Sequence, residues 1–332
     1  MAVHEHKDKL RRFIDNRGED FLRDPNVTSI GIGRKDYDPA GPISIVFTVE
    51  RKVDESEMAA LGTAMLPREI MVEGTPIPTD VQVARYNASH QIVEPEIPGW
   101  RTRRHDPVMP GISVGHRTDT KGTLGAIVFD ERTGLPCMLS NWHVLNTQDG
   151  RPSEDGGLGS PILQPSAKDD MNLANNVIGM LLRGTLGKDG DAALALIANR
   201  TVDPMIHGLG VAPARMADVD LEDTVVKSGL VSGITYGIVR RVDVLTKIDL
   251  RLASGPVIIG GFDIAPDPAR KPSNGEISEP GDSGAVWMIH EDGVVTDIMA
   301  GLHCAGETAG NTDEHAIANY PLRIQSRLGF RF

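Results

Sequence analysis

From residue 111 to residue 304 the chain repeats one pattern, a short apolar run followed by a turn. The runs are TLGAIVFD (123–130), CMLSNWHVL (137–145), SPILQP (160–165), NVIGMLLRG (176–184), AALALIA (192–198), TVVKSGLVSG (224–233), YGIVRRVDVLT (236–246), PVIIGGFDIA (256–265), AVWMIH (285–290) and VVTDIMAGLHC (294–304). Runs of this length between Gly, Pro, Asn and Asp clusters read as strands, and this many in succession favour an all-β sandwich or a pair of barrels. The high contents of Gly (36) and Pro (22) supply the turns. The last stretch, NYPLRIQSRLGF, reads as a helix with Pro321 near its start, where proline's fixed φ suits the first turn.

The N-terminal part is patterned differently. Leu10, Phe13, Ile14, Phe21 and Leu22 follow a helical face, and Asp24-Pro25-Asn26 ends it. VTSIGIG (27–33) and ISIVFTVE (43–50) read as strands, the second by the alternation of Ile43, Ile45, Phe47 and Val49. Residues 54–61 read as a short helix capped by Asp54, and VQVARY (81–86) as a third strand. Residues 87–110 hold Pro95, Pro98, Pro107 and Pro110 with the basic cluster WRTRRHD, and read as a linker with a solvated loop. The expected organisation is a small α+β domain plus Pro-rich linker over 1–108, then a mainly β domain over 109–332.

Charge and cysteine usage narrow the function. A net charge of -12 argues against non-specific binding to nucleic acid or to an anionic membrane. No apolar run approaches the ~18 residues of a membrane span. The opening MAVHEHKDKLRRFIDNR lacks a signal-peptide core. Two cysteines, Cys137 and Cys304, do not make a disulfide framework. The expectation is a cytoplasmic protein with free thiols. HEH and HCAGE lack zinc-site spacing, and GIGRKD lacks the glycine and lysine of a phosphate loop, so no metal or cofactor is expected.

Chemistry is concentrated in EPGDSGAVW (279–287), where Ser283 sits in a glycine-rich turn. A serine hydroxyl becomes a useful nucleophile only beside a general base that a third group orients. Among ten histidines, His143 stands in the most packed setting, at SNWHVL; His116, His207, His290 and His315 read as turn or surface residues. Asp191, directly before AALALIA, is the candidate acid, because a carboxylate drawn into the interior needs a hydrogen-bond donor. Asp189 is its competitor, farther from the apolar run. The order His143, Asp191, Ser283 is that of the chymotrypsin-like arrangement.

With these segments the chain resembles the trypsin-like (chymotrypsin-fold) serine peptidases. SNWHV resembles the family's histidine segment, GDAALALI its aspartate segment and PGDSGAVW its serine segment. VVKSGLVSGITYGIV (225–239) resembles the strand–turn–strand before the serine in bacterial members and in plant relatives of the leaf-shape-regulator type, a subgroup with an N-terminal α+β region. The resemblance implies two β-barrels with the triad between them and a C-terminal helix. It implies oxyanion donors at Gly281 and Ser283, and a structural carboxylate at Asp282 paired with a cation. It places the pocket base at Ile277 and the pocket wall at Cys304, Ala305 and Gly306, whose backbone can pair with an extended peptide. PGISVGHR (110–117) resembles the start of an activated mature chain, although no activation cleavage is evident. The implied function is serine endopeptidase action on a protein or peptide substrate. The alternative is a binding or scaffold protein with a blocked or regulated site. The N-terminal unit offers a surface for homo-oligomers.

Overall fold

The computed structural model describes residues 2–88, 99–117, 120–148, 151–152, 157–250, 252, 255–307 and 314–332. Helix α1 (Ala2–Leu22) is followed by strands β1 (Val27–Arg34) and β2 (Ile43–Val49), helix α2 (Glu55–Leu61), and strands β3 (Glu69–Val72), β4 (Thr75–Val83) and β5 (Tyr86–Ala88). Next come β6 (Ser113–His116), β7 (Gly122–Thr123), β8 (Ala126–Asp130), β9 (Pro136–Ser140), the one-turn helix α3 (Trp142–Leu145), the hairpin β10 (Thr147–Gln148) and β11 (Arg151–Pro152), β12 (Pro161–Leu163), the turn α4 (Leu173–Asn176), β13 (Val177–Gly187) and β14 (Gly190–Leu196). The chain ends with β15 (Arg215–Met216), β16 (Thr224–Gly229), β17 (Gly233–Ile248), β18 (Val257–Pro266), β19 (Val286–Glu291), β20 (Val294–Glu307), β21 (Ala316–Asn319), α5 (Pro321–Leu328) and β22 (Phe330–Arg331).

The middle strands form a sheet in the order β22-β8-β9-β14-β13-β12-β6-β7. β7 and β8 are two halves of one run, parted only by Leu124 and Gly125. The sheet therefore curls until its ends meet, making a six-stranded barrel with β22 added at the rim. Its interior takes one set of alternate residues, among them Val114, Ile127, Met138, Ile162, Ile178, Ala193 and Ala195. The opposite set, including Ala126, Val128, Leu139, Ala192 and Leu194, packs against Val226, Val286, Met288 and Leu302 of the later strands. Both faces are buried, which is why AALALIA is apolar without alternation.

The later strands run β16-β19-β20-β21-β18-β17, and β16 pairs back onto β17, closing a second six-stranded barrel. Ile324 and Leu328 of α5 pack into the contact between the barrels, with Pro321 in the first turn as expected. The fold is mainly β, a double barrel of the chymotrypsin type with a C-terminal helix.

The N-terminal region does not stand apart. β1 pairs antiparallel with β17 (Ser29 with Thr246, Ile30 with Leu245), and β2, β4 and β3 continue the same sheet. Leu10 and Ile14 of α1, with Ile30 and Phe47, share one core with Val242, Leu245, Phe262 and Tyr320. The cause is the length of β17, 16 residues, against the 236–246 expected. Its register with β18 slips on either side of Arg241, and Asp243 has φ 49°. Such bulges bend a strand, and the far half of β17 leaves the barrel to become the template for β1.

The basic cluster also differs from a solvated loop. Arg101 donates to the Gly111 carbonyl at 2.7 Å and to Ser228 Oγ at 2.9 Å, and the His105 N–H donates to Gln164 Oε1 at 2.9 Å. The segment is stitched across both barrels. His90, Pro95 and Pro98 of the expected linker lie outside the described residues.

Candidate active site

The run CMLSNWHVL is two elements, not one. β9 ends at Ser140, and the chain then turns through α3, which carries His143. Asn141 anchors this turn by donating Nδ2–H to the Asp191 carbonyl at 2.7 Å. The Asp191 carboxylate then binds the histidine twice. Oδ1 accepts the His143 backbone N–H at 3.1 Å, and Oδ2 is hydrogen-bonded to Nδ1 of the ring. His143 is 3% exposed and Asp191 is fully buried. Asp191 is itself fixed by donating its N–H to Asn319 Oδ1 at 3.2 Å. A hydrogen bond at Nδ1 directs the other ring nitrogen away from Asp191. The competitor, Asp189, is on the surface, hydrogen-bonded to Arg327.

The serine loop docks between the barrels. Thr123 of β7 donates its N–H to the Ser283 carbonyl at 2.8 Å and its Oγ1–H to the Gly281 carbonyl at 2.8 Å. Gly122 marks the convergence: a Cβ there would lie 2.7 Å from Val144 Cγ1 and 2.8 Å from the Ser283 carbonyl oxygen. The segment holding His143 and the segment holding Ser283 therefore meet at one glycine. Ser283 Oγ–H points to the Cys304 carbonyl at 3.5 Å. Gly281 (φ 113°) and Gly284 (φ 94°) adopt backbone conformations that side chains disfavour.

Asp282 points away from this cluster. Its carboxylate accepts from Lys227 Nζ at 2.8 Å, from Ser232 Oγ, and from the N–H groups of Val231 (2.9 Å), Ser232 (3.1 Å) and Glu279 (3.1 Å). Burial pushes its pKa up, but Lys227 and these donors outweigh that and lower it to about 2. The cation implied for Asp282 is thus internal. Residues 113–116 of PGISVGHR are occupied as strand β6.

The expected pocket residues diverge. Ile277 turns its side chain into the second barrel's core, where its Cδ1 lies 2.9 Å from the site a Gly237 Cβ would take. What borders its backbone is a carboxylate. Glu314 accepts the Ile277 N–H, the Ser278 N–H at 3.2 Å and the Ser278 hydroxyl at 2.9 Å. Burial, assisted by Glu276, raises the Glu314 pKa to about 8 against those hydrogen bonds. Cys304 Sγ faces the Ile317 carbonyl at 3.4 Å, and burial first, then Asp191, push its thiol far up. Burial likewise pushes Cys137 up to about 11. Neither thiol is set up as a thiolate nucleophile. Ala305 and Gly306 pair with β5, joining Ala88 and Asn87.

Several contributors escaped the sequence reading. Lys227 was visible as a lone cation in the apolar run TVVKSGLV, which asks for a buried partner. Asn319 and Glu314 carried no such signal. His116, His290 and His315, expected at turns or surfaces, are buried; His315 shares Asp263 with Arg241.

No protein-family model matches the chain, and no curated protein matches it. Among solved structures the chain is similar to a glutamic acid specific serine protease that uses a histidine triad in substrate binding, at 16% identity over 67% of this chain and 98% of that one, with a TM-score of 0.46. It is similar to the Nocardiopsis protease NAPase at 14% identity, over 68% and 98% of the two chains, TM-score 0.46. Cellulomonas bogoriensis chymotrypsin gives 16% identity, 68% and 98%, and a TM-score of 0.46.

Proposed function

We propose that the protein is a serine endopeptidase that cleaves peptide bonds through Ser283, His143 and Asp191. The observation that carries this reading is the double hydrogen bond from His143 to the buried Asp191 carboxylate, on the segment that meets the serine loop at Gly122. Ser283 attacks the scissile carbonyl carbon. His143 takes the hydroxyl proton and passes it to the departing amine, and Asp191 holds the ring and stabilises its cation. The N–H groups of Gly281 and Ser283 receive the developing oxyanion. Asp282 braces that turn from behind through Lys227, so the brace needs no newly made N-terminus.

Ser283→Ala is the test. Cleavage of a mixed peptide library is lost while the unfolding transition stays in place; turnover retained by this variant would refute the reading. The library profile also reports the residue preferred before the cut.

One observation favours the second reading, a peptidase fold with a blocked or regulated site. The β20 edge at Ala305–Glu307 is already paired, by β5. A serine-directed phosphonate separates the two: labelling of Ser283 requires an assembled triad, and a scaffold protein stays unlabelled.

A further inference from the structure

Strand β20 has two edges, and β5 shares one of them with the candidate nucleophile. β21 takes the first edge, pairing with β20 at Leu302, His303, Ala305 and Gly306. β19 pairs with Leu302 and Gly301, and β5 pairs with Ala305, Gly306 and Glu307 through Ala88, Asn87 and Tyr86. Leu302, Ala305 and Gly306 already face β21, so β19 and β5 both lie on the second edge. The serine segment meets β20 there as well. Gly284 donates its N–H to the His303 carbonyl at 2.9 Å, and the His303 N–H donates to the Ala285 carbonyl at 2.9 Å. Between these partners stands Cys304, whose carbonyl takes the Ser283 hydroxyl. β19 and β5 are both antiparallel to β20, so they run the same way along one edge, with β5 heading toward the serine.

An extended peptide added to this edge as a strand would gain main-chain hydrogen bonds from Ala305 to Glu307. With the polarity of β5, the residues before the cut bond would need those positions. The N-terminal region has already filled them. Ala84, just before β5, donates its N–H to the Val49 carbonyl at 3.2 Å, and its own carbonyl accepts from Thr28 Oγ1 at 2.6 Å. Tyr86 is 2% exposed, and its hydroxyl donates to Asp263 Oδ2 at 3.0 Å and accepts from Arg241 Nη2 at 2.6 Å. β5 is thus tied to the N-terminal sheet at one end and to the second barrel through its first side chain.

We propose that β5 is an inhibitory strand, holding the β20 edge against the residues upstream of the cut bond, so that long peptides are taken only as β5 peels away. This rests on the peptidase reading above. The device discriminates by length. A substrate with one residue before the cut bond reaches no farther than Cys304 and does not compete with β5. A substrate with four residues before it competes at every position that β5 holds.

The experiment compares the full chain with a double variant, Asn87→Pro with Ala88→Pro. Successive N–H groups alternate in direction, so one ladder donor is lost whichever faces β20. Two sets of probes are used, acetyl-aminoacyl and acetyl-tetrapeptidyl coumarin amides, each mixed over the residue before the cut, with phosphonates of the same two lengths. In the variant KM for the tetrapeptidyl amides is expected to fall about five- to tenfold, as for the loss of one ladder bond. Turnover of the aminoacyl amides stays where it was, and only the long phosphonate labels Ser283 faster. Tyr86→Phe decides the matter where the proline variant loses the unfolding transition of the parent: it removes the hydroxyl from Arg241 and Asp263 and should give the same length-selective gain, about twofold or more. A gain shared equally by both lengths, or no gain, overturns inhibition by β5 and leaves the peptidase reading standing. Labelling by neither phosphonate, with neither amide cut in any of the proteins, removes both.

Discussion

Lys227 Nζ lies 2.8 Å from Asp282 Oδ2, and neither side chain touches solvent. The pair sits directly behind the serine turn, with Lys227 also 5.4 Å from the Trp287 ring centroid. Removing the cation strands a buried carboxylate. Lys227→Met is expected to cost about 3–5 kcal/mol, measured by urea denaturation. Lys227→Met combined with Asp282→Asn should lose less than the sum of the single variants. Because the Asp282 pKa is lowered to about 2 in the fold, its contribution is present above the ordinary carboxylate value and is lost as pH falls from about 4 through 2.

Asp191→Asn separates orientation from burial. The amide oxygen can still accept one of the two His143 hydrogen bonds, so stability changes little. The amide N–H₂ facing Nδ1 then favours the tautomer with its proton on the other ring nitrogen. Turnover should fall by about 10⁴-fold, with substrate affinity nearly unchanged, in steady-state kinetics on a cleavable peptide.

The two glycines flanking the serine should respond differently. At Gly284 (φ 94°) a Cβ would run into Ser140 Oγ and the Thr123 carbonyl, one of them backbone. Gly284→Ala is therefore expected to cost about 2–5 kcal/mol in thermal or urea unfolding. At Gly281 the neighbour is Val231 Cγ2 at 2.8 Å, a side chain that can shift. Gly281→Ala should cost about 1–3 kcal/mol from backbone strain alone. On the peptidase proposal its loss of turnover should be larger, about 10²–10³-fold, because the turn would re-aim the proposed oxyanion donor.

Glu314 gives a pH signature opposite to that of Asp282. Its pKa is raised to about 8 by burial, so the fold prefers the neutral acid. That preference stabilises fully below the unfolded carboxylate value and is lost as pH rises through 8. Urea midpoints should fall between pH 5 and pH 9, and Glu314→Gln, neutral throughout and able to keep the bonds to Ile277 and Ser278, should flatten that decline. An unchanged slope in the variant would assign the decline to other groups.

The double barrel was legible because its strands are short, apolar and bounded by turn residues, and local pattern suffices for that. His143 and Asp191 were legible because each sets a polar group in or directly beside an apolar run, and Ser283 because glycines flank it in a tight turn. Partnership was not. Nothing in VTSIGIG states that β1 pairs with β17, since an alternating strand specifies a face and not a neighbour. The direction of Ile277 was hidden because an apolar residue suits a pocket floor and a barrel core equally. Glu314 was hidden because a carboxylate in a polar stretch looks solvated until two backbone N–H groups are found facing it. Lys227 was the missed opportunity, a charge within a strand with no polar neighbour but Ser228.

The splice between β1 and β17 makes the N-terminal region a cover for an open sheet edge. Strip it away, and the outer half of β17 would present Val242, Leu245 and a row of main-chain donors and acceptors to water. Such an edge recruits strands from other molecules. A chain begun at residue 109 would thus be less a smaller protein than a sticky one, and the first ninety residues would serve as its solubility factor.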